Sequence, residues 1–110
     1  MKHAIALETD GTIRTVVLDE ASEYDELVKL VGGYLEAVTL RNGHTLWVNE
    51  EGKIQRLPYN RTAQAVFDHN FGPGVDIILG NAVIMGDVDE DGNTLGLTEE
   101  ELAMYVGGDS

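Results

Sequence analysis

The period of the apolar positions switches along the chain, and each switch marks an element. Ile5 and Leu7 alternate with Ala4, Ala6 and Glu8, and after Asp10-Gly11 the apolar pattern resumes at Ile13, Val16, Val17 and Leu18. Apolar runs on both sides of Asp-Gly predict a hairpin with strands over about 2–8 and 13–18, joined by a tight turn whose central residues take positive φ. Tyr24, Leu27, Val28 and Val31 then fall at i, i+3, i+4 and i+7, one face of a helix over 22–31. Ser22 is the expected N-cap, and Glu23, Asp25 and Glu26 suit the positive end of the helix dipole. Lys29 is spaced to pair with Asp25 or Glu26, and Gly32-Gly33 stops the helix.

A second hairpin is predicted from Leu35, Ala37, Val38 and Leu40, through Asn42-Gly43, to a return strand over His44–Asn49. Leu46 and Val48 share one face of that strand, Thr45 and Trp47 the other. Ile54 and Leu57 extend the sheet briefly. Pro58 and Asn60 mark the start of a helix over 61–69, with Ala63, Val66 and Phe67 inward, and Phe71-Gly72-Pro73-Gly74 breaks it. Val75, Ile77, Ile78 and Leu79, then Ala82–Met85, read as strand material on either side of a turn or bulge at Gly80-Asn81. Thr98 and Glu101 form a capping box ahead of a short final helix carrying Leu102, Met104 and Tyr105, and Gly107-Gly108 frees the end to fray over 106–110. The order β-β-α-β-β-α-β predicts one α+β domain over 1–110. It has a small, mainly antiparallel sheet built from hairpins, two short helices on one face and a short C-terminal helix.

Composition narrows the chemistry. The 110 residues include no cysteine, so disulfides, thiolate catalysis and cysteine-held metal sites are excluded. Twenty acidic residues against seven basic ones leave a net charge of −13. Such a chain repels nucleic acid and anionic membrane, so neither is an expected partner. The charge is uneven: 1–86 hold 12 acidic and 7 basic residues, a balance of −5, while 87–110 hold 8 acidic and no basic ones, a balance of −8. Glu8 and Asp10 interrupt the apolar start, so no signal peptide is read there, and no apolar run has membrane-spanning length. The expected location is cytoplasm, that of the host cell if the protein is viral.

The most metal-like string runs from Asp87 to Thr94, with oxygen ligands at Asp87, Asp89 and Asp91 and glycine at the sixth place, as a calcium loop requires. Thr98 stands where that loop needs glutamate and no helix precedes it, so the string reads as an acidic hairpin turn. No metal site and no cofactor are expected. His3, His44 and His69 have no local ligand spacing, and His69 at a helix C-terminus has an electrostatic reason to be there. Ser22 and Ser110 lie in no nucleophile elbow, so no catalytic residue is assigned. Arg56, Asn60 and Arg61 are candidate anion- or ligand-binding groups, or else Arg61 pairs with Glu50, Glu51 or a sheet edge. Trp47 is either core or, if Leu46 and Val48 face the helices, an exposed aromatic on the open face. Trp47, Tyr59, Asp87, Asp89, Glu90 and Asp91 are therefore the candidate protein-binding residues.

Several segments carry a family resemblance. They are Val31-Gly32-Gly33-Tyr34-Leu35-Glu36 with Ala37-Val38, Val48-Asn49-Glu50-Glu51-Gly52-Lys53, Leu57-Pro58-Tyr59-Asn60-Arg61, Gly80-Asn81-Ala82-Val83-Ile84-Met85-Gly86 and Gly96-Leu97-Thr98. Together they resemble domain of unknown function number 3846, a family found largely in phages and mobile elements. Tyr59 departs from that pattern, where proline is expected. The resemblance implies a viral or plasmid accessory protein and carries over no catalytic residue, cofactor or substrate. The functional expectation is an accessory protein that binds a host or phage protein, basic ones included, and in its sharper form inhibits a nucleic-acid-binding or defence protein. The alternatives are a small-ligand or nucleotide-derivative binder presenting Arg56 or Arg61 at an oligomer interface, and a small enzyme.

Overall fold

The computed structural model describes residues 1–106. Five antiparallel strands form one sheet in the order β2-β1-β5-β4-β3, with β1 at Lys2–Leu7, β2 at Ile13–Leu18, β3 at Leu35–Thr39, β4 at Thr45–Asn49 and β5 at Ala82–Met85. The two hairpins read from the sequence are both present. β5 lies between them, pairing Ile84 with Ile5 on one side and with Leu46 on the other. Its four side chains, alternately aimed at opposite faces, are all buried, as a strand covered on both sides requires.

The helices do not share a face. α1 (Glu23–Val31) covers one side, where Leu27 and Val31 pack with Ala4, Leu18, Val83 and Met85. α2 (Arg61–Phe71) and α3 (Glu99–Val106) cover the other, where Ala63, Phe67, Leu102 and Tyr105 meet Ile5, Leu7, Leu46 and Ile84. The expectation of two helices on one face is corrected by the strands themselves: Ala-rich β1 and all-apolar β5 leave no hydrated face. Burying each large aliphatic side chain contributes roughly 1.5–3 kcal/mol, enough reason for both faces to recruit a helix.

The buried stripe of α1 is Leu27, Leu30 and Val31, rotated from the expected one, and Tyr24 is 64% exposed. Ser22 stands at the N-cap without capping, because its hydroxyl donates to Glu26. Asp19 instead caps a preceding helical turn by accepting from the Ala21 amide. Lys29 makes no ion pair among the described residues, whereas Lys2 reaches Glu23. α2 starts as expected at Asn60, whose Oδ1 accepts from the Ala63 amide.

The hairpin turns are three-residue loops, not two-residue turns. Around Gly11, Gly43 and Gly92 the same pair of bonds recurs: the glycine amide donates to the carbonyl three residues back, and that residue's amide donates across the loop. Only the glycine has positive φ, about 90° in each case, the geometry of a type I turn closed by a bulge. The segment 75–79 is not a strand, and Leu79 alone makes a bridge, to Tyr59. Side chains satisfy its backbone: Gln64 accepts from the Ile78 amide and donates to the Asp76 carbonyl, while Asp76 accepts from Ile77. Ile54 does not extend the sheet either; it is 81% exposed on a turn.

After β5 the chain doubles back, with Gly86 donating to the Leu95 carbonyl and Leu97 to that of His3. A Cβ on Gly86 would stand 2.8 Å from the Gly96 carbonyl oxygen, so this close crossing needs glycine. It sets the acidic hairpin 87–95 beside the N-terminal turn of α1. Thr98 and Glu101 form the expected capping box at α3, with bonds of 2.9 and 3.2 Å. The frayed end expected at 106–110 falls, beyond Val106, outside the described residues.

Candidate functional site

Trp47 sits on the face covered by α1, half-buried rather than on an open surface. Its ring forms part of an open groove of about 640 Å³ between the start of α1 and the acidic hairpin. Glu20, Glu23 and Tyr24 line one bank, Asp89 and Leu95 the other, and Lys2 lies across the end. Three carboxylates against one ammonium give this wall a negative balance. The single cation is already engaged, donating to Glu23 at 2.8 Å and to the Thr94 carbonyl at 2.7 Å, which ties the hairpin to the helix. The Trp47 indole N–H is buried and has no acceptor among the described residues, a state that costs about 1–3 kcal/mol.

The groove unites Trp47 and Asp89 and leaves the other expected contacts outside its wall. Asp89 also holds its own loop, accepting from the Asp91 and Asn93 amides at 2.9 Å. That is the hairpin-turn reading of the string, with the carboxylate used on its own backbone. Glu90 and Asp91 are exposed at the loop tip, and Asp87 stands against Gly43 at the loop base. Tyr59 is 50% exposed in its bridge to Leu79.

Arg56, Asn60 and Arg61 do not converge. Asn60 is fully buried, and its amide donates to the Leu7 and Gly80 carbonyls at 2.9 Å while its oxygen accepts from Ala63 and Thr62. Every polar atom is spent on joining α2 to β1 and the turn before β5, so the ligand role expected for it is corrected to a structural one. Arg56 is exposed on a turn with φ of 55°. Arg61 is exposed beside Gly11 and makes no ion pair among the described residues, so its expected pairing with Glu50 or Glu51 is not formed.

A second cluster was missed from the sequence. His44, 4% exposed, has both ring nitrogens bonded: Nε2 lies 2.8 Å from a Glu101 carboxylate oxygen and Nδ1 2.8 Å from the Tyr105 hydroxyl. A carboxylate only accepts, so Nε2–H donates to it; in the neutral ring Nδ1 then accepts from Tyr105. Asn42 donates to the Tyr105 oxygen at 3.3 Å, and Thr98 donates to the other oxygen of Glu101. The Thr98 amide, and after it His44, hold the Glu101 carboxyl below its ordinary range, while burial pushes the Tyr105 phenol up. The phenol therefore stays protonated at neutral pH and serves as a hydrogen-bond partner rather than a base. The network docks α3 on the β3–β4 hairpin. Its signal was parity: His44 lies two residues before Leu46 and four before Val48, on the same buried face.

The family model for DUF3846, a domain of unknown function, matches residues 1–108. The chain belongs to that family. No curated protein and no solved structure matches it. The DUF3846 chain has no helix among its described residues that is long and apolar enough to cross a membrane. Among those residues no three His, Asp or Glu side chains gather in a way that could hold a metal ion.

Proposed function

We propose that this DUF3846 protein is an accessory protein that binds a basic segment of a host or phage protein in the groove beside Trp47. The supporting observation is the meeting of an aromatic ring with Glu20, Glu23 and Asp89 in one open groove. A guanidinium or ammonium group stacks on an indole face and pairs with carboxylates, and the two attractions add where both are offered together. Nucleic-acid-binding proteins expose such cationic segments to meet phosphate. A chain of net charge −13 attracts those segments and repels the nucleic acid itself. The reading therefore extends to inhibition of a nucleic-acid-binding or defence protein, in a phage or mobile-element setting and in the host-cell cytoplasm.

Trp47 is the sole tryptophan, so its fluorescence reports on the groove directly. Titration with a nona-arginine peptide is expected to give a saturable change that weakens as salt rises. Nona-glutamate is expected to give none. Glu20→Gln combined with Asp89→Asn should weaken the arginine response about tenfold. An unchanged spectrum with nona-arginine, or an unaltered response in the double variant, rejects the groove as the contact.

A further inference from the structure

The β3–β4 loop, the second half of α2 and α3 border a separate open cavity of about 670 Å³. Its wall contains no carboxylate, although the chain has 20 acidic residues. Four other cavities each carry at least one, from three in the groove by Trp47 to one beside Lys29. The basic side chains of this wall are Arg41 and His69, both exposed, and neither forms an ion pair among the described residues. Ala65, Val66 and Met104 supply an apolar strip beside them. We propose that this cavity binds a small phosphate monoester, with the phosphate on Arg41 and His69 and the apolar body of the ligand along Val66 and Met104.

Three features support the assignment. The donors come from two elements that approach from different sides, the hairpin loop and α2, which suits the divergent oxygens of a tetrahedral anion. The Arg41 backbone is fixed, because its amide donates to Asn70 Oδ1 at 2.8 Å while Asn70 donates to the Val66 carbonyl at 2.8 Å. The third wall is tied in as well: the Tyr105 hydroxyl is held by His44 and Asn42, so the phenol ring is anchored to the hairpin loop. Two features oppose an anion, the negative end of the α2 dipole and the net charge of the chain. The first is confined to the last turn, and the second is screened beyond about 8 Å at physiological salt. Asp87 is a third concern, since it lies against Gly43 of the same loop, yet it is not in the cavity wall and forms no pair with Arg41. Direct hydrogen bonds to a guanidinium outweigh these distant charges.

The test is amide and imidazole NMR of the whole chain, titrated with phenyl phosphate and, separately, with benzoate and inorganic phosphate. Saturable shifts at Asn42, Asn70 and His69 with phenyl phosphate are expected, with binding at least about tenfold tighter than for either control. Arg41→Gln and His69→Gln, both surface substitutions, should each weaken binding while the remaining spectrum stays native. Glu20→Gln, in the other groove, should leave it unchanged. Absence of saturable shifts at millimolar ligand, shifts centred on Arg56 or Arg61, or full affinity in Arg41→Gln would overturn the assignment. Equal affinity for inorganic phosphate or for benzoate would overturn the monoester.

Discussion

Two concave surfaces of this protein, on opposite faces of one sheet, are built by opposite means. The groove beside Trp47 is walled by carboxylates and braced by one lysine that bridges helix and hairpin. The cavity beside Tyr105 has no carboxylate in its wall and is braced from behind by a buried imidazole bonded on both sides. The lysine brace is a part-buried ion pair with one further bond to a carbonyl, whereas the imidazole is buried with both ring nitrogens bonded, and a satisfied buried network is costly to break. The difference teaches that charge in this chain is sorted by place, and that net charge alone describes neither surface.

The largest expected effect comes from removing the imidazole. His44→Ala leaves Glu101 and Tyr105 without their shared partner and opens a void under α3. It should cost about 3 kcal/mol in urea unfolding and abolish the cavity, while Trp47 emission in the folded state stays as it was. A matching change in Trp47 emission would show that the two surfaces are one cooperative unit. Lys2→Met should act in reverse: it keeps the aliphatic stem and loses the brace, costing about 1 kcal/mol. Faster amide exchange at 92–95, with none at 98–106, would mark the effect as local to the groove.

The smallest effect is with acid. The Glu101 carboxyl is held below its ordinary value by the Thr98 amide and by His44. A depressed folded-state value means that its contribution is present above the unfolded value and is lost as pH falls through the folded one. Acidification below the usual glutamate range should therefore loosen α3 before the groove, read as Tyr105 ring shifts that precede any change at Trp47. Simultaneous change at both would remove Glu101 as the cause.

Much of this architecture could be read along the chain, and the misses have physical reasons. Alternation and Asp-Gly or Asn-Gly located both hairpins, and Asn60 and the Thr98–Glu101 box located two helix starts, because these signals are local. The stripe of α1 was misread because Tyr24-Leu27-Val28-Val31 and Leu27-Leu30-Val31 overlap on one helix, and only docking on Ala4 and Val83 selects between them. The segment 75–79 has strand composition, yet Gln64, a distant side chain, takes its backbone bonds. Trp47 and Asp89 could be named as candidates from the sequence but not their shared groove, which depends on the Gly86–Gly96 crossing. His44 reads as the first residue of the return strand, and its parity with Leu46 gains a role only with the partners, Glu101 and Tyr105, that α3 brings to it.

The position of β5 governs when this protein can become itself during synthesis. The strand at the centre of the sheet is the last to leave the ribosome, and the two hairpins share no strand pairing until residues 82–85 arrive to join them. Until then each hairpin is a two-stranded ribbon with an open edge, marginal by itself and adhesive to any other strand. The arrival of β5 closes the inner edges of both hairpins at once and leaves β2 and β3 as the outer edges of the sheet.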